Sequence, residues 1–500
     1  MTGRQLAMRW GVWALVLLSC LRVAWVCDDA YITFRTIDNW LLGHGPVWNP
    51  GERVQAYTHP LWMLLMAGPV ALGGEPWLSS MGLGLVLTAS CLGMLGRLPG
   101  AIRHWPVFLV LAASKAFTEF STSGLENSLS HAIVAWAGVL VVCGSRGPVG
   151  DRWLGLALGL LPLCRPDLVL VAVPVALFVG WDRRSDRPWG LALGLLLPGI
   201  WTVFTWVYYG SPVPNTALAK LGQAPLSQLL PQGLAWLWCG LRWDPLSIVV
   251  IGLGATRAVH LRRVQPGVTA LAMGGLVYLA WVVSIGGDFM FGRFLTVPMV
   301  TVMPALLVDG VPTEARPRWV VGLAGLAVVL GLLMPRGPWR TGLDYEALSW
   351  DNAGIADERG WYFQHLGLLP RLRRGQDAPR PGRGPQDDDL RVMEAAGLDG
   401  YMAGPLVHIV DVYALGDPFL ARLPSDEIRG RPGHWRRALP DGYLDTLQTH
   451  HNQLTDPALG ALWDDVSLAT RAPLWSSDRG FAIGRLTRRL WAHSARRDDK

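Results

Sequence analysis

Apolar residues come in repeated blocks from about residue 9 to residue 335, and then the blocks stop. Several are long enough to cross a bilayer core of roughly 30 Å. With the flanking charges they predict spans at 9–27, 78–96, 106–121, 128–144, 153–164, 167–181, 188–208, 245–259, 267–285, 294–311 and 319–335. The basic loops then alternate. Arg4 and Arg9, then Arg97, Arg103 and His104, then Arg146 and Arg152, then Arg183, Arg184 and Arg187 fall on one side. So do Arg257, Arg262 and Arg263, and finally Arg316 and Arg318. The excess of arginine marks that side as cytoplasmic. The scheme requires that Pro60 to Leu72, short and interrupted by Gly68 and Pro69, be an interfacial or re-entrant helix on the outer face. An odd number of spans puts the N-terminus inside and the chain after Pro335 outside.

The expected architecture is therefore an all-α polytopic membrane body over 1–335 and a C-terminal α/β extracytoplasmic domain over 336–500. Composition agrees: 51% of residues are hydrophobic and 16% charged, unlike an ordinary soluble enzyme. The net charge of +6 would suit a nucleic-acid partner, but its placement in short loops between apolar blocks assigns it to membrane topology instead. All six cysteines lie in the membrane body, without metal-ligand spacing, and the C-terminal part has no disulfide framework. The first block follows Arg4 and Arg9 and lacks a small-residue cleavage site, which makes it a retained helix.

The topology gathers the polar motifs on the outer face. They are Asp28-Asp29 and the run to His59, Ser121 to Asn127, Arg165-Pro166-Asp167, Tyr208 to Lys220, and Gly286 to Phe294. Two carboxylates at a helix end beside a span are costly unless solvated or paired. They can be a water-facing cap, or a general base whose pKa is raised by its partner and by partial desolvation. Arg165, Lys220 and Arg293 sit where spans meet the outer face. Singly each reads as a cation reaching for lipid headgroups; together they suit a phosphate. Asp167 and Asp288 read as partners of their neighbouring arginines, and Lys115 as an isolated cation inside a span. Gly43-His44-Gly45 has no phosphate-loop spacing, which excludes a nucleotide cradle.

Taken in order, DDAYITFRTIDNWLLGHGPVWNPGERVQAYTHPLW, TSGLEN, CRPD, YYGSPVPNTALAK and GGDFMFGRF resemble the GT-C superfamily of polyprenyl-phosphate-sugar glycosyltransferases, nearest to the arabinofuranosyltransferases of the actinobacterial cell wall. GIADERGWYFQHLGL (354–368) and VDVYALGDPFLARLP (410–424) extend the resemblance outside the membrane body. It implies a bacterial inner-membrane enzyme that transfers a sugar with inversion from a polyprenyl-phosphate donor to a cell-envelope glycan or glycoconjugate. Arabinofuranose is the first choice of sugar, with mannose or another pentose as alternatives. The catalytic positions carried over are Asp28 and Asp29, with Asp28 preferred as base. Donor-phosphate binding falls to Lys220, Arg293 and Arg165. Substrate-binding candidates are Tyr31, Arg35, His44, Glu52, His59, Glu126, Asn215 and Asp288. No cofactor is implied, and a divalent cation near Asp28 and Asp29 is left open. The rival reading is a lipid-linked-sugar transporter. Transporters place polar sites near the midplane within internal repeats, which this chain does not show. Trp361, Trp435, Trp463 and Trp475 can stack on acceptor sugars, although core packing is the commoner use.

Overall fold

The computed structural model describes residues 3–144, 148–182, 189–220, 224–309, 317–348, 350–351, 353–382, 390–425 and 432–495. Arg146, Arg183, Arg184, Arg187 and Arg316 of the basic loops lie outside the described residues. The chain is mainly helical. Helix starts follow local chemistry: Pro60, Pro76, Pro245 and Pro266 occupy the first turn, where their missing N–H costs nothing. Glu75 and Asp244 cap two of these by accepting main-chain N–H groups.

Among the described residues, three helices are long and apolar enough to cross a membrane: Pro76–Leu95, Gly190–Tyr209 and Pro266–Ser284. A fourth candidate is the pair Leu226–Trp243 and Pro245–Leu261, bent by 105°. The first of that pair, amphipathic and carrying Pro231, falls outside the predicted spans. Most remaining apolar blocks form shorter helices, among them Asn127–Cys143, Pro148–Cys164 and Arg318–Leu333. The Pro60–Ala71 helix is half-buried, with Trp62, Met63 and Met66 inward. The block 106–121 is interrupted: Ser114 is extended and separates Leu109–Ala113 from Lys115–Phe120. Its hydroxyl donates to Asp244 (2.9 Å), which anchors the break. Helices Pro148–Cys164 and Trp189–Tyr209 press glycine on glycine; a Cβ on Gly159 would lie 2.0 Å from the Gly194 carbonyl.

In the C-terminal part the described residues include a two-stranded parallel sheet, Leu390–Met393 beside His408–Asp411, joined through the helix Leu398–Ala403. Helices Tyr443–Thr449, Pro457–Arg471 and Ser477–Ala495 complete it. Two apolar cores result, and both draw on distant stretches of chain. Ile355, Phe363 and Leu366 belong to the core of the helical body, whereas Ile32, Trp48, Ala56 and Ala219 belong to that of the C-terminal part.

Buried polar groups lock the two together. Lys115 is not isolated: it is 1% exposed and bonded to Glu119 (2.6 and 2.8 Å) and Asp357 (3.0 Å). Arg359 meets the same Glu119 at 2.5 Å, and the Tyr345 hydroxyl donates to Asp357. Arg35, also 1% exposed, donates to the carbonyls of Trp48, Gly400, Gly404 and Val407. The Asn215 amide donates to those of Ala414, Leu415 and Asp417. Burial alone would raise the Asp357 carboxyl, but Lys115 and Arg359 hold it at about 2. Its stabilising contribution is therefore present above the ordinary 3.8 and lost as pH falls towards 2. Asp357→Asn should cost about 3–5 kcal/mol by leaving buried cations under-compensated. Thermal unfolding of the detergent-solubilised chain should show that gap at pH 5–8 and its shrinkage as pH falls below about 4.

Candidate active site

The segment that carries Asp28 and Asp29 begins where the N-terminal helix Gly3–Arg22 gives way to extended chain. Val23 to Cys27 is pinned by main-chain bonds: Val26 N–H to Leu366 (3.3 Å), Leu368 N–H to Ala24 (2.9 Å) and Cys27 N–H to Ser123 (2.9 Å). The helix Asp28–Leu41 starts at once, with both aspartates in its first turn, where the helix dipole favours anions. Gly124 closes the Ser121–Asn127 loop against it at φ +80°, and a Cβ there would meet Ala30 at 2.7 Å. The indole of Trp62 donates to the Gly124 carbonyl (2.9 Å), which brings in the Pro60–Ala71 helix.

At the centre is Glu126, fully buried. Its carboxylate accepts from Arg293 (3.1 and 3.3 Å) and Arg165 (3.2 Å), and His59 Nδ1 lies 3.0 Å away. Burial would raise its pKa; Arg293, His59 and Arg165 together hold it well below the carboxylate range. Each donor is itself positioned. Thr33 meets His59 Nε2 at 2.7 Å, Asp167 grips Arg165 at 3.0 and 2.6 Å, and Phe294 lies 4.0 Å from the Arg165 guanidinium. Arg293 reaches Asp29 at 3.6 Å. Lys220, at the end of Asn215–Lys220, is partly buried and stands in the field of Asp29 and Asp288. Its ammonium is pushed below the usual lysine range by burial, against the pull of those two carboxylates. Asp288, 6% exposed, is pushed up by burial, opposed by Arg293, Lys220 and Arg165.

Asp28 turns towards the C-terminal part. Its Oδ1 accepts from Leu398 N–H at 2.8 Å, and a Cβ on Gly397 would lie 2.2 Å from the Asp28 carbonyl, so only glycine fits there. A small pocket joins the pieces. Asp28, Asp29 and Phe289 line it from the helical body, and Glu358, Glu394, Asp411, Tyr413 and His434 from the later chain. Burial raises the Asp411 carboxyl to about 6, against main-chain N–H donors from Tyr413, Gly416 and Leu415.

Of the residues proposed from sequence, Asp28, Asp29, His59, Glu126, Arg165, Lys220, Asp288 and Arg293 form this one neighbourhood. The rest are placed differently. Arg35 and Asn215 are committed to the carbonyl bonds described above. Tyr31 packs on Phe34 and Tyr401, Glu52 accepts from Asn49 and Arg471, and His44 is exposed on a turn. Trp435 and Trp463 are buried in the C-terminal part, and Trp475 is exposed. Glu358, Glu394, Tyr413 and His434 were not among the site residues expected from sequence, although Glu358 and Tyr413 fall within the stretches 354–368 and 410–424 that carry the resemblance. Among the described residues no group of three His, Cys, Asp or Glu side chains is arranged to hold a metal ion.

The chain is similar to arabinofuranosyltransferases. It is 30% identical over 410 residues to the terminal beta-(1->2)-arabinofuranosyltransferase of Mycobacterium tuberculosis, covering 72% of this chain and 64% of that protein. The protein of the same name from Corynebacterium glutamicum is 29% identical over 395 residues, covering 68% and 55%. The chain thus spans less than two thirds of the length of either curated relative. No family model matches it. Among solved structures it is similar to the archaeal oligosaccharyltransferase AglB from Archaeoglobus fulgidus, in complex with an inhibitory peptide and a dolichol-phosphate. That likeness has a TM-score of 0.45 and 11% identity, over 84% of this chain and 65% of the other.

Glu126→Ala would leave Arg165 and Arg293 side by side without their shared counter-charge. It should destabilise the chain by about 3–5 kcal/mol. Thermal unfolding in detergent checks this, and Glu126→Gln, which keeps the shape and one acceptor oxygen, should lose less.

Proposed function

We propose that the chain is an inverting membrane glycosyltransferase that moves an arabinofuranosyl residue from a polyprenyl-phosphate donor to a glycan or glycoconjugate at the outer face of a bacterial inner membrane. The observation that carries this reading is the meeting of Asp29 with Arg293, beside Lys220 and Arg165, at the edge of a pocket that also holds Asp28. Base and phosphate-binding cations are thereby side by side. The names of the two curated relatives support the choice of sugar.

The chemistry is a single displacement. An aspartate of the pair takes the proton of an acceptor hydroxyl, whose oxygen bonds to the anomeric carbon as the bond from that carbon to the phosphate oxygen breaks. The phosphate departs as an anion and needs no strong acid; Lys220 and Arg293 neutralise its charge. Glu126 holds Arg293 and Arg165 at fixed places, so little reorganisation is needed as the charge develops. Asp29, paired with Arg293, belongs to the donor side. Asp28, turned to the later chain, is the preferred base.

In the same reading the helices form the eleven-span body of the GT-C type over 1–335, with the N-terminus cytoplasmic. The region 336–500 stands outside the membrane and closes the site from above. The arginine-rich loops support this orientation.

Transfer from a polyprenyl-phosphate arabinofuranose to an arabinofuranosyl oligosaccharide, with the purified full chain, tests the reading. Asp28→Asn should lower kcat by about 100-fold or more. Asp29→Asn, which frees Arg293, should raise the donor KM as well. Wild-type rates in both variants would refute the assignment. Lys220 must be protonated to hold phosphate, so kcat/KM for the donor should fall as pH rises through its lowered pKa, below the ordinary 10.5. In Lys220→Arg, whose guanidinium keeps its proton, that alkaline fall should move to higher pH.

A further inference from the structure

Lys220 ends the helix Asn215–Lys220, and both ends of that helix are pinned by distant residues. At its start the Asn215 amide is spent on the carbonyls of Ala414, Leu415 and Asp417, and the Asn215 N–H donates to Gln55 (2.9 Å). At its end the Arg437 guanidinium donates to the carbonyl of Ala219, the residue before Lys220, at 2.6 Å. Arg437 is 1% exposed and is itself fixed. Its other terminal nitrogen donates to the Trp435 carbonyl, and its N–H donates to Val412 at 2.9 Å.

The turn just before Arg437 lies along the Lys220 side chain. Gly433 has φ +74°, and a Cβ there would stand 3.3 Å from Lys220 Cδ, 3.4 Å from Cε and 3.5 Å from Nζ. A side chain at this position is disfavoured twice, by the left-handed backbone and by the lysine against it. His434, next in the turn, packs edge to face on Phe289 at 4.3 Å, and Phe289 follows Asp288. We propose that Gly433 and Arg437 are positioning residues for the donor site: Arg437 fixes the end of the helix that carries Lys220, and the Gly433 turn holds the lysine stem so that its ammonium stays with Asp29, Asp288 and Arg293. A lysine stem is flexible, and holding it in place before the donor arrives is worth up to about 10-fold in donor affinity. The region after residue 335 thereby serves the donor phosphate as well as roofing the pocket. This inference rests on the glycosyltransferase reading, in which Lys220 binds that phosphate.

The test uses the purified full chain in nanodiscs, with a polyprenyl-phosphate arabinofuranose as donor and an arabinofuranosyl oligosaccharide as acceptor. Arg437→Gln and Gly433→Ala should each raise the donor KM by about 10-fold. The acceptor KM should stay within about twofold of wild type. Arg437→Lys, which keeps the charge but cannot span two carbonyls, should recover part of the loss. A double-mutant cycle separates positioning from general damage: in a Lys220→Ala background the same substitutions should change the donor KM by less than about twofold. Wild-type donor KM in Arg437→Gln and Gly433→Ala would overturn the inference and leave the glycosyltransferase reading standing. So would an equal rise in both KM values, or effects that persist in full in the Lys220→Ala background.

A second readout needs no turnover. The sequence has three lysines, Lys115, Lys220 and Lys500, so acetylation of Lys220 by acetic anhydride can be followed by mass spectrometry from about pH 7 to 11. Burial holds the Lys220 ammonium below the usual lysine range, and Arg437→Gln, which loosens its helix, should move the midpoint up towards the ordinary 10.5. An unchanged midpoint counts against the inference. If wild type transfers no sugar but the midpoint moves, the glycosyltransferase reading fails and the positioning of Lys220 survives. If Arg437→Gln does not fold, Arg437→Lys and Gly433→Ala carry the comparison, and a wild-type donor KM in both counts against the inference.

Discussion

A carboxylate withdrawn from water beside apolar helices must be surrounded by donors, and Glu126 has Arg293, Arg165 and His59 around it. Each of those residues comes from a different polar motif. His59 begins the half-buried helix Pro60–Ala71, Arg165 stands at the break before Pro166, and Arg293 precedes a helix of the body. Without Glu126 the two guanidiniums would repel. With it both are held in place, Arg293 against Asp29 and Arg165 against Asp167, and the arrangement has two consequences. It spends buried charge on geometry, and in the proposed reaction it keeps Arg293 and Arg165 in place near Lys220 for the donor phosphate.

The second constraint is how the later chain is seated. Lys115 and Glu119 bind Asp357 and Arg359 deep in the helical body, while Arg35, from the helix that begins with Asp28, binds carbonyls of Gly400, Gly404 and Val407. The two clamps flank the pocket. A pocket roofed by a separate, loosely tethered unit would change shape with every movement of that unit. Here its roof is bonded to the same elements that hold the aspartates, so the proposed base and the pocket wall from the later chain keep their separation.

Much of the site was legible in the sequence because its charges are expensive where they are. Asp28, Asp29, Glu126, Arg165, Lys220 and Arg293 were all singled out as polar positions flanking apolar blocks, and the fold brings them into one neighbourhood. Residues that looked like ligands by type proved harder to read. Arg35 and Asn215 carry the donors a sugar would need, yet tertiary folding gives those donors to backbone carbonyls of a region far along the chain. Lys115 was read as isolated although Glu119, four residues on, lies one helical turn away and pairs with it; its other partner, Asp357, is 242 residues away. The interruption at Ser114 was hidden for a similar reason, since its anchor is Asp244. The helix Leu226–Trp243 escaped because an amphipathic pattern with an internal proline is a poor match for a span. Glu358 was invisible for the converse reason: an acidic residue starting a helix is ordinary until the pocket is seen.

The central claim is that a phosphate belongs beside Lys220 and Arg293, with Asp28 and Asp29 facing the sugar it carries. The most direct measurement is a cryo-EM structure of the full chain in nanodiscs with a polyprenyl-phosphate bound. The account predicts density for the phosphate within hydrogen-bonding distance of Lys220 and Arg293, and a lipid tail leaving between the helices of the body. A phosphate bound at the opposite end of the helices, or on the outer surface away from Asp29, would contradict it.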